Sequence, residues 1–139
     1  MTGDAGEIER LTYEYALRND RFDVDGVMEL WVDDCLFDMS ELGMRRLEGF
    51  AAVRGYFEKE RDALTHIMHV TTNHIIDVAG DEATGTAYFL AIAVTNQGNE
   101  NQARGFYDDR YVRTADGWRF AVRRLRLLLP YRPVREARG

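Results

Sequence analysis

Four long runs of alternating apolar and polar residues, parted by short polar turns, fill the second half of this chain and limit its fold more than any other feature. The runs His66 to Val78, Glu82 to Thr95, Ala103 to Thr114 and Trp118 to Leu128 read as strands. Between them stand Ala79-Gly80-Asp81, Asn96-Gln97-Gly98-Asn99-Glu100 and Ala115-Asp116-Gly117. These are hairpin connections, so consecutive strands run antiparallel. Strands of this length twist strongly, and a sheet made of them curls around whatever covers its inner face.

The covering elements come first in the chain. From about Ala5 to Asn19, Ile8, Leu11, Thr12, Tyr15 and Asn19 recur at helical spacing, and Asp20 closes the segment. Asp23-Val24-Asp25-Gly26 marks a break and a new N-cap, which predicts a second helix from about Val24 to Trp31 with Val27, Leu30 and Trp31 as its apolar contacts. Extended runs from Cys35 to Met39 and from Met44 to Leu47 flank a turn near Gly43. A third helix is expected from about Phe50 to Leu64, with Phe50, Val53, Phe57 and Leu64 facing inward and Glu58, Lys59, Glu60, Arg61 and Asp62 on the solvent side. Helices gathered early and antiparallel strands gathered late predict an α+β domain whose curved sheet and helices enclose a pocket. One domain over residues 1–139 accounts for the length, with the core at about 6–128 and a loose polar tail at 129–139.

Composition removes several function classes. A net charge of −6 argues against a nucleic-acid partner, whose phosphates need clustered cations. The basic residues from Arg119 to Arg126 alternate with Trp118, Phe120, Val122 and Leu125, as in a strand. A single cysteine, Cys35, allows neither an intrachain disulfide nor a Cys-based zinc site and reads as a small core residue. No apolar stretch approaches the ~20 residues of a membrane span, and Met1-Thr2-Gly3-Asp4 has no signal-peptide character, so a cytoplasmic protein is expected.

The residues that can carry chemistry are few. Asp20 ends the first helix and His69 lies near the start of a strand, 49 residues later; a carboxylate and an imidazole brought together from two elements can move a proton. Arg123 shares a strand face with Ala121, Leu125 and Leu127, so its charge must be paired: either a structural ion pair with a carboxylate or a donor to an anion in the pocket. Asp108 and Asp109, on opposite faces of the strand containing Tyr107 and Tyr111, are both candidate partners. His66, His69 and His74 have metal-ligand chemistry. Strict alternation turns His66 and His74 away from His69, so no metal site is expected and His74 is read as a surface or interface residue. Asn73 falls on the His69 face in that register. Phe37, Met39, Phe57, Met68, Phe89, Tyr107 and Leu127 are the expected lining of an apolar pocket.

Taken in order, Tyr15-x4-Asp20, Leu30-Trp31-Val32-Asp33-Asp34, His69-x3-Asn73, Gly105-x-Tyr107-x-Asp109 and Gly117-Trp118-Arg119-x3-Arg123 resemble the SnoaL-like branch of the NTF2-like superfamily, over about residues 6–128. The resemblance implies a cone-shaped α+β barrel. Within that branch the chain is most similar to dehydratases and dehydrohalogenases that work without a cofactor. It implies His69 as base, Asp20 as its orienting carboxylate, Tyr15 as the polar group assisting a leaving oxygen or oxyanion, and Arg123 as the cation on the Gly-Trp strand, with Asn73 among the substrate contacts. A lyase or isomerase acting on a hydrophobic cyclic molecule follows. The alternatives are a non-catalytic ligand-binding or assembly module and a small subunit supporting a ring-hydroxylating dioxygenase. Both faces of Glu82 to Thr95 are apolar, which predicts a homodimer or another homo-oligomer.

Overall fold

The computed structural model describes residues 3–133. Helix α1 (Gly3–Asp20) buries Ile8, Leu11, Thr12, Tyr15 and Asn19 along one stripe, while the i,i+4 pairs Arg10–Glu14 and Glu14–Arg18 hold its outer face. Helix α2 (Val24–Met28) is capped by Asp23, whose side chain accepts from the Gly26 amide. It stops three residues before the predicted end. The Leu30 carbonyl accepts from the Phe120 amide at 2.8 Å, which draws Trp31 into a strand instead of a further helical turn.

That strand, β1 (Trp31–Asp38), is followed by a 3-10 turn (Ser40–Leu42), β2 (Arg46–Glu48) and α3 (Phe50–Ala63). The long strands follow: β3 (Leu64–Ala79), β4 (Glu82–Thr95), β5 (Glu100–Thr114) and β6 (Gly117–Leu127). The sheet order is β2-β1-β6-β5-β4-β3. All neighbours are antiparallel except β1 and β6, whose parallel pairing lets the chain's first strand close against its last long one. The sheet curves without closing, and the three helices cover its concave face. Among the described residues no helix is long and apolar enough to cross a membrane.

Alternation along β5 and β6 is as expected, with Ala103, Gly105, Tyr107, Asp109 and Tyr111 buried from one strand and Ala121, Arg123 and Leu125 from the other. Gly105 is required there: a Cβ would stand 1.9 Å from the Arg126 carbonyl oxygen on the adjacent strand. Cys35 is buried in the core, and burial pushes its thiol up to about 11.

Two expectations fail at this level. The tail is not loose from its start: Leu128 and Leu129 donate to the Arg104 carbonyl, and a short strand β7 (Arg132–Pro133) pairs with Asn101 and Gln102 of β5. Residues 134–139 lie outside the described part. The second failure is in β3, where Thr72 pairs with Tyr88 but Ile75 with Thr86, so three steps on one strand match two on the other. This is a bulge, centred on Asn73 at φ 55°, a left-handed conformation that asparagine tolerates. Every side chain beyond it changes face.

Candidate active site

The concave face and the helices enclose a cavity of about 350 Å³. Its wall is mainly apolar, from Phe37, Leu42, Ile67, Phe89, Ala103 and Leu125, with polar groups from Tyr15, Asn19, Tyr56, Lys59, Glu60, His69, Asn101, Tyr107 and Tyr131. The volume falls at the lower end of the ~300–1,000 Å³ common for small-molecule pockets.

His69 is part of this wall, and Asp20 meets it. Helix α1 runs across β3 to bury its apolar stripe, and its last residue arrives beside the start of that strand. Asp20 Oδ1 accepts from His69 Nδ1 at 2.6 Å, and the two carboxylate oxygens accept from the His69 amide at 3.0 and 3.1 Å. The carboxylate is thereby held by backbone as well as side chain. With an acceptor at Nδ1, the neutral ring carries its proton there and Nε2 is the free base nitrogen.

Tyr15 is 2% exposed and its ring stands edge-on to His69 at 6.2 Å between centroids. Burial pushes its phenol well above the ordinary tyrosine range, and Tyr107 moves the same way for the same reason. Both remain neutral donors. Tyr107 stacks on Phe89 at 4.6 Å, so these two residues form a flat aromatic strip on the wall.

Arg123 lies behind that wall and does not line the cavity. It is fully buried, its Nε and Nη2 donate to Asp109 at 2.9 and 2.8 Å, and its guanidinium packs against the rings of Tyr15, Tyr107 and Phe120. Burial opposes the charge, but the carboxylate beside it more than offsets this and holds the guanidinium protonated. Of the two readings of Arg123, the ion pair is the one seen here, with Nη1 buried and without a hydrogen-bond partner among the described residues. Asp109 also accepts from Tyr111, whose hydroxyl contacts His74 Nε2 at 3.1 Å.

His74 is therefore not a surface residue. The bulge turns it inward, where burial lowers its pKa, while Asn73, expected on the His69 face, is exposed. Four lining expectations also move. Met68 is 49% exposed on the outer face of β3, Met39 is buried just past the end of β1 and outside the cavity wall, Phe57 packs against Phe37 and Tyr15, and Leu125 stands in the wall where Leu127 is expected. Phe37, Phe89 and Tyr107 line the cavity. Among the described residues no group of three or more His, Cys, Asp or Glu side chains is gathered for a metal ion.

Glu60 is the main residue missed. Its charged neighbours point it to solvent, yet it follows Val53 by seven residues and Phe57 by three, which is the inward stripe of α3. It lines the cavity, and burial raises its carboxyl above the ordinary range. Tyr131 was missed with the tail.

The sequence matches the SnoaL-like domain family over residues 2–124. Among solved structures, a provisionally assigned aromatic ring hydroxylase from Novosphingobium aromaticivorans is 28% identical, with TM-score 0.91 over 94% of this chain and 93% of that one. A provisionally assigned scytalone dehydratase from the same organism is 26% identical, with TM-score 0.84 over 96% and 90%. A type 2 hexachlorocyclohexane dehydrochlorinase, at 15% identity, has the same fold with TM-score 0.83 over 97% and 91%. No curated protein matches the sequence significantly. The cone-shaped NTF2-like fold implied by the motifs is the fold observed.

Proposed function

We propose that this chain, which belongs to the SnoaL-like domain family, is a cofactor-independent lyase or isomerase that takes a proton from an uncharged cyclic molecule with His69. The observation that carries the reading is the 2.6 Å contact of Asp20 with Nδ1 of His69, a residue that lines a mainly apolar cavity. Nε2 accepts the proton from carbon, and the C–H electrons form the new double bond. In an elimination the leaving group departs with its bonding pair; in an isomerisation the proton returns at another carbon. Asp20 stabilises the imidazolium that forms, and a positioned base of this kind is worth about 10² to 10⁴ in rate. Tyr15 donates to the substrate oxygen. The names of two similar structures, a scytalone dehydratase and a hexachlorocyclohexane dehydrochlorinase, fit elimination chemistry.

The test is turnover of scytalone and of hexachlorocyclohexane by the intact chain and two variants. His69→Ala is expected to abolish turnover. Asp20→Asn is expected to lower kcat by about 10² to 10⁴ with KM kept, because an amide no longer enforces the Nδ1 proton. Full activity in His69→Ala would remove the base from the reaction.

Self-association belongs to the same reading. Met68, Val70, Ile75 and Tyr88 are 43 to 66% exposed on the outer face of β3 and β4, an apolar group that suits contact with a second copy. A second functional reading, support of a ring-hydroxylating oxygenase, is favoured by the name of one similar structure. Hydroxylation that requires both this chain and an iron-sulfur oxygenase subunit would carry it in place of the lyase.

A further inference from the structure

Glu60 and Tyr56 stand one turn apart on α3 and both line the cavity that holds His69. The Tyr56 hydroxyl donates to Glu60 Oε2 at 2.8 Å, while Oε1 is buried with no hydrogen-bond partner among the described residues. No ion pair to Glu60 is formed among those residues either. An ionised carboxylate is poorly served in this setting: it has one donor and a mainly apolar wall, and Lys59, which lines the same cavity, is not paired with it. A neutral carboxyl is well served. Oε2 then acts as the carbonyl oxygen that accepts from Tyr56, and the hydroxyl on Oε1 is left for a molecule in the cavity. The direction of the Glu60 titration agrees: burial raises it, with Asp20 adding in the same sense, against the smaller opposing effects of Tyr56 and His69.

An elimination differs in its needs according to what leaves. Chloride departs as a stable anion, whereas hydroxide requires a proton as the C–O bond breaks. Resting on the lyase reading above, we propose that Glu60 is the acid of the site, giving its proton to an oxygen leaving group while His69 takes one from carbon, so that the substrate is an alcohol that loses water. In this step His69 Nε2 gains the carbon-bound proton and the C–H pair becomes the double bond. The C–O pair goes to oxygen, and the Glu60 proton completes the water molecule. The site is left with an imidazolium and a carboxylate, and passage of one proton between them through the released water restores both. Tyr56 is a positioning residue in this scheme.

The experiment is a ¹³C-carboxyl NMR titration of the full chain labelled at glutamate, with Glu60 assigned by its loss in Glu60→Gln and checked in Glu60→Asp. Glu60 is expected to titrate above the ordinary glutamate value of about 4.3, and higher still in Tyr56→Phe, which loses the donor to the carboxylate. Titration at or below the ordinary value overturns the proposal whether or not any substrate is found. With scytalone as the alcohol probe, Glu60→Gln is expected to lower kcat by about 10² to 10⁴, to keep KM within a few-fold and to lose the fall of kcat at high pH, with partial recovery in Glu60→Asp. A wild-type kcat in Glu60→Gln overturns the acid role alone. A wild-type kcat in His69→Ala overturns the base, so the two failures are told apart.

Discussion

Replacing Arg123 with methionine removes the only charge that faces Asp109 from β6 and leaves its carboxylate buried. Asp109 loses two hydrogen bonds, at 2.9 and 2.8 Å, and keeps the one from Tyr111 at 2.7 Å. Both side chains of the pair are 0% exposed, so water cannot take over. Breaking a buried pair from one side costs about 3–5 kcal/mol. The ring contacts to Tyr15, Tyr107 and Phe120, whose nearest centroid is 3.6 Å from the guanidinium carbon, are replaced by thioether contacts of lower but real value. For a domain of this size each kcal/mol moves Tm by roughly 3–4 °C, so the variant is expected to melt about 10–20 °C lower. Urea denaturation at neutral pH provides the free energy, and the double variant Arg123→Met, Asp109→Leu provides the control. With no charge left to bury, the double variant is expected to recover most of the loss. A single variant within about 1 kcal/mol of wild type, or a double variant that loses the sum of both changes, would refute the assignment of Arg123 as a structural ion pair.

Three further outcomes are expected. Asp4 accepts from Arg113 and from the Trp118 indole, which lowers its carboxyl to about 2. Because the folded value lies below the unfolded one, the stabilisation is present above about pH 4 and disappears as pH falls towards 2, so Asp4→Asn should melt lower than wild type at pH 7 and match it in acid. Gly105→Ala, whose Cβ would sit 1.9 Å from the Arg126 carbonyl oxygen, should lose about 1–3 kcal/mol in the same urea assay because β6 must move away. Light scattering should report a particle of at least twice the 16.0 kDa chain mass at micromolar concentration, and Val70→Glu should halve it; a 16.0 kDa wild-type particle would remove the self-association.

The architecture was legible because the two periodicities do not overlap in this chain. The α1 stripe from Ile8 to Asn19 and the alternation of β5 and β6 each name their buried face without tertiary help. Asp20 and His69 were legible for the same reason, since a helix that buries Tyr15 must end near the sheet. What was not legible turned on local departures from period. The bulge at Asn73 rests on one residue at positive φ, and it exchanged Asn73 for His74 on the inner face. Glu60 sits on the apolar stripe of α3, but a run of five charged residues hides which one points inward. Met39 and Phe57 are buried but are not part of the cavity wall, and alternation, which separates in from out, does not separate a wall residue from the layer behind it. The parallel pairing of β1 with β6 has no local signal at all.

The dyad itself can be tested most directly by ¹⁵N NMR of the imidazoles in the free protein. The account predicts that neutral His69 carries its proton on Nδ1, bonded to Asp20, with a bare Nε2, and that Asp20→Asn abolishes this preference. A neutral His69 protonated at Nε2, or a tautomer unchanged by Asp20→Asn, would contradict it.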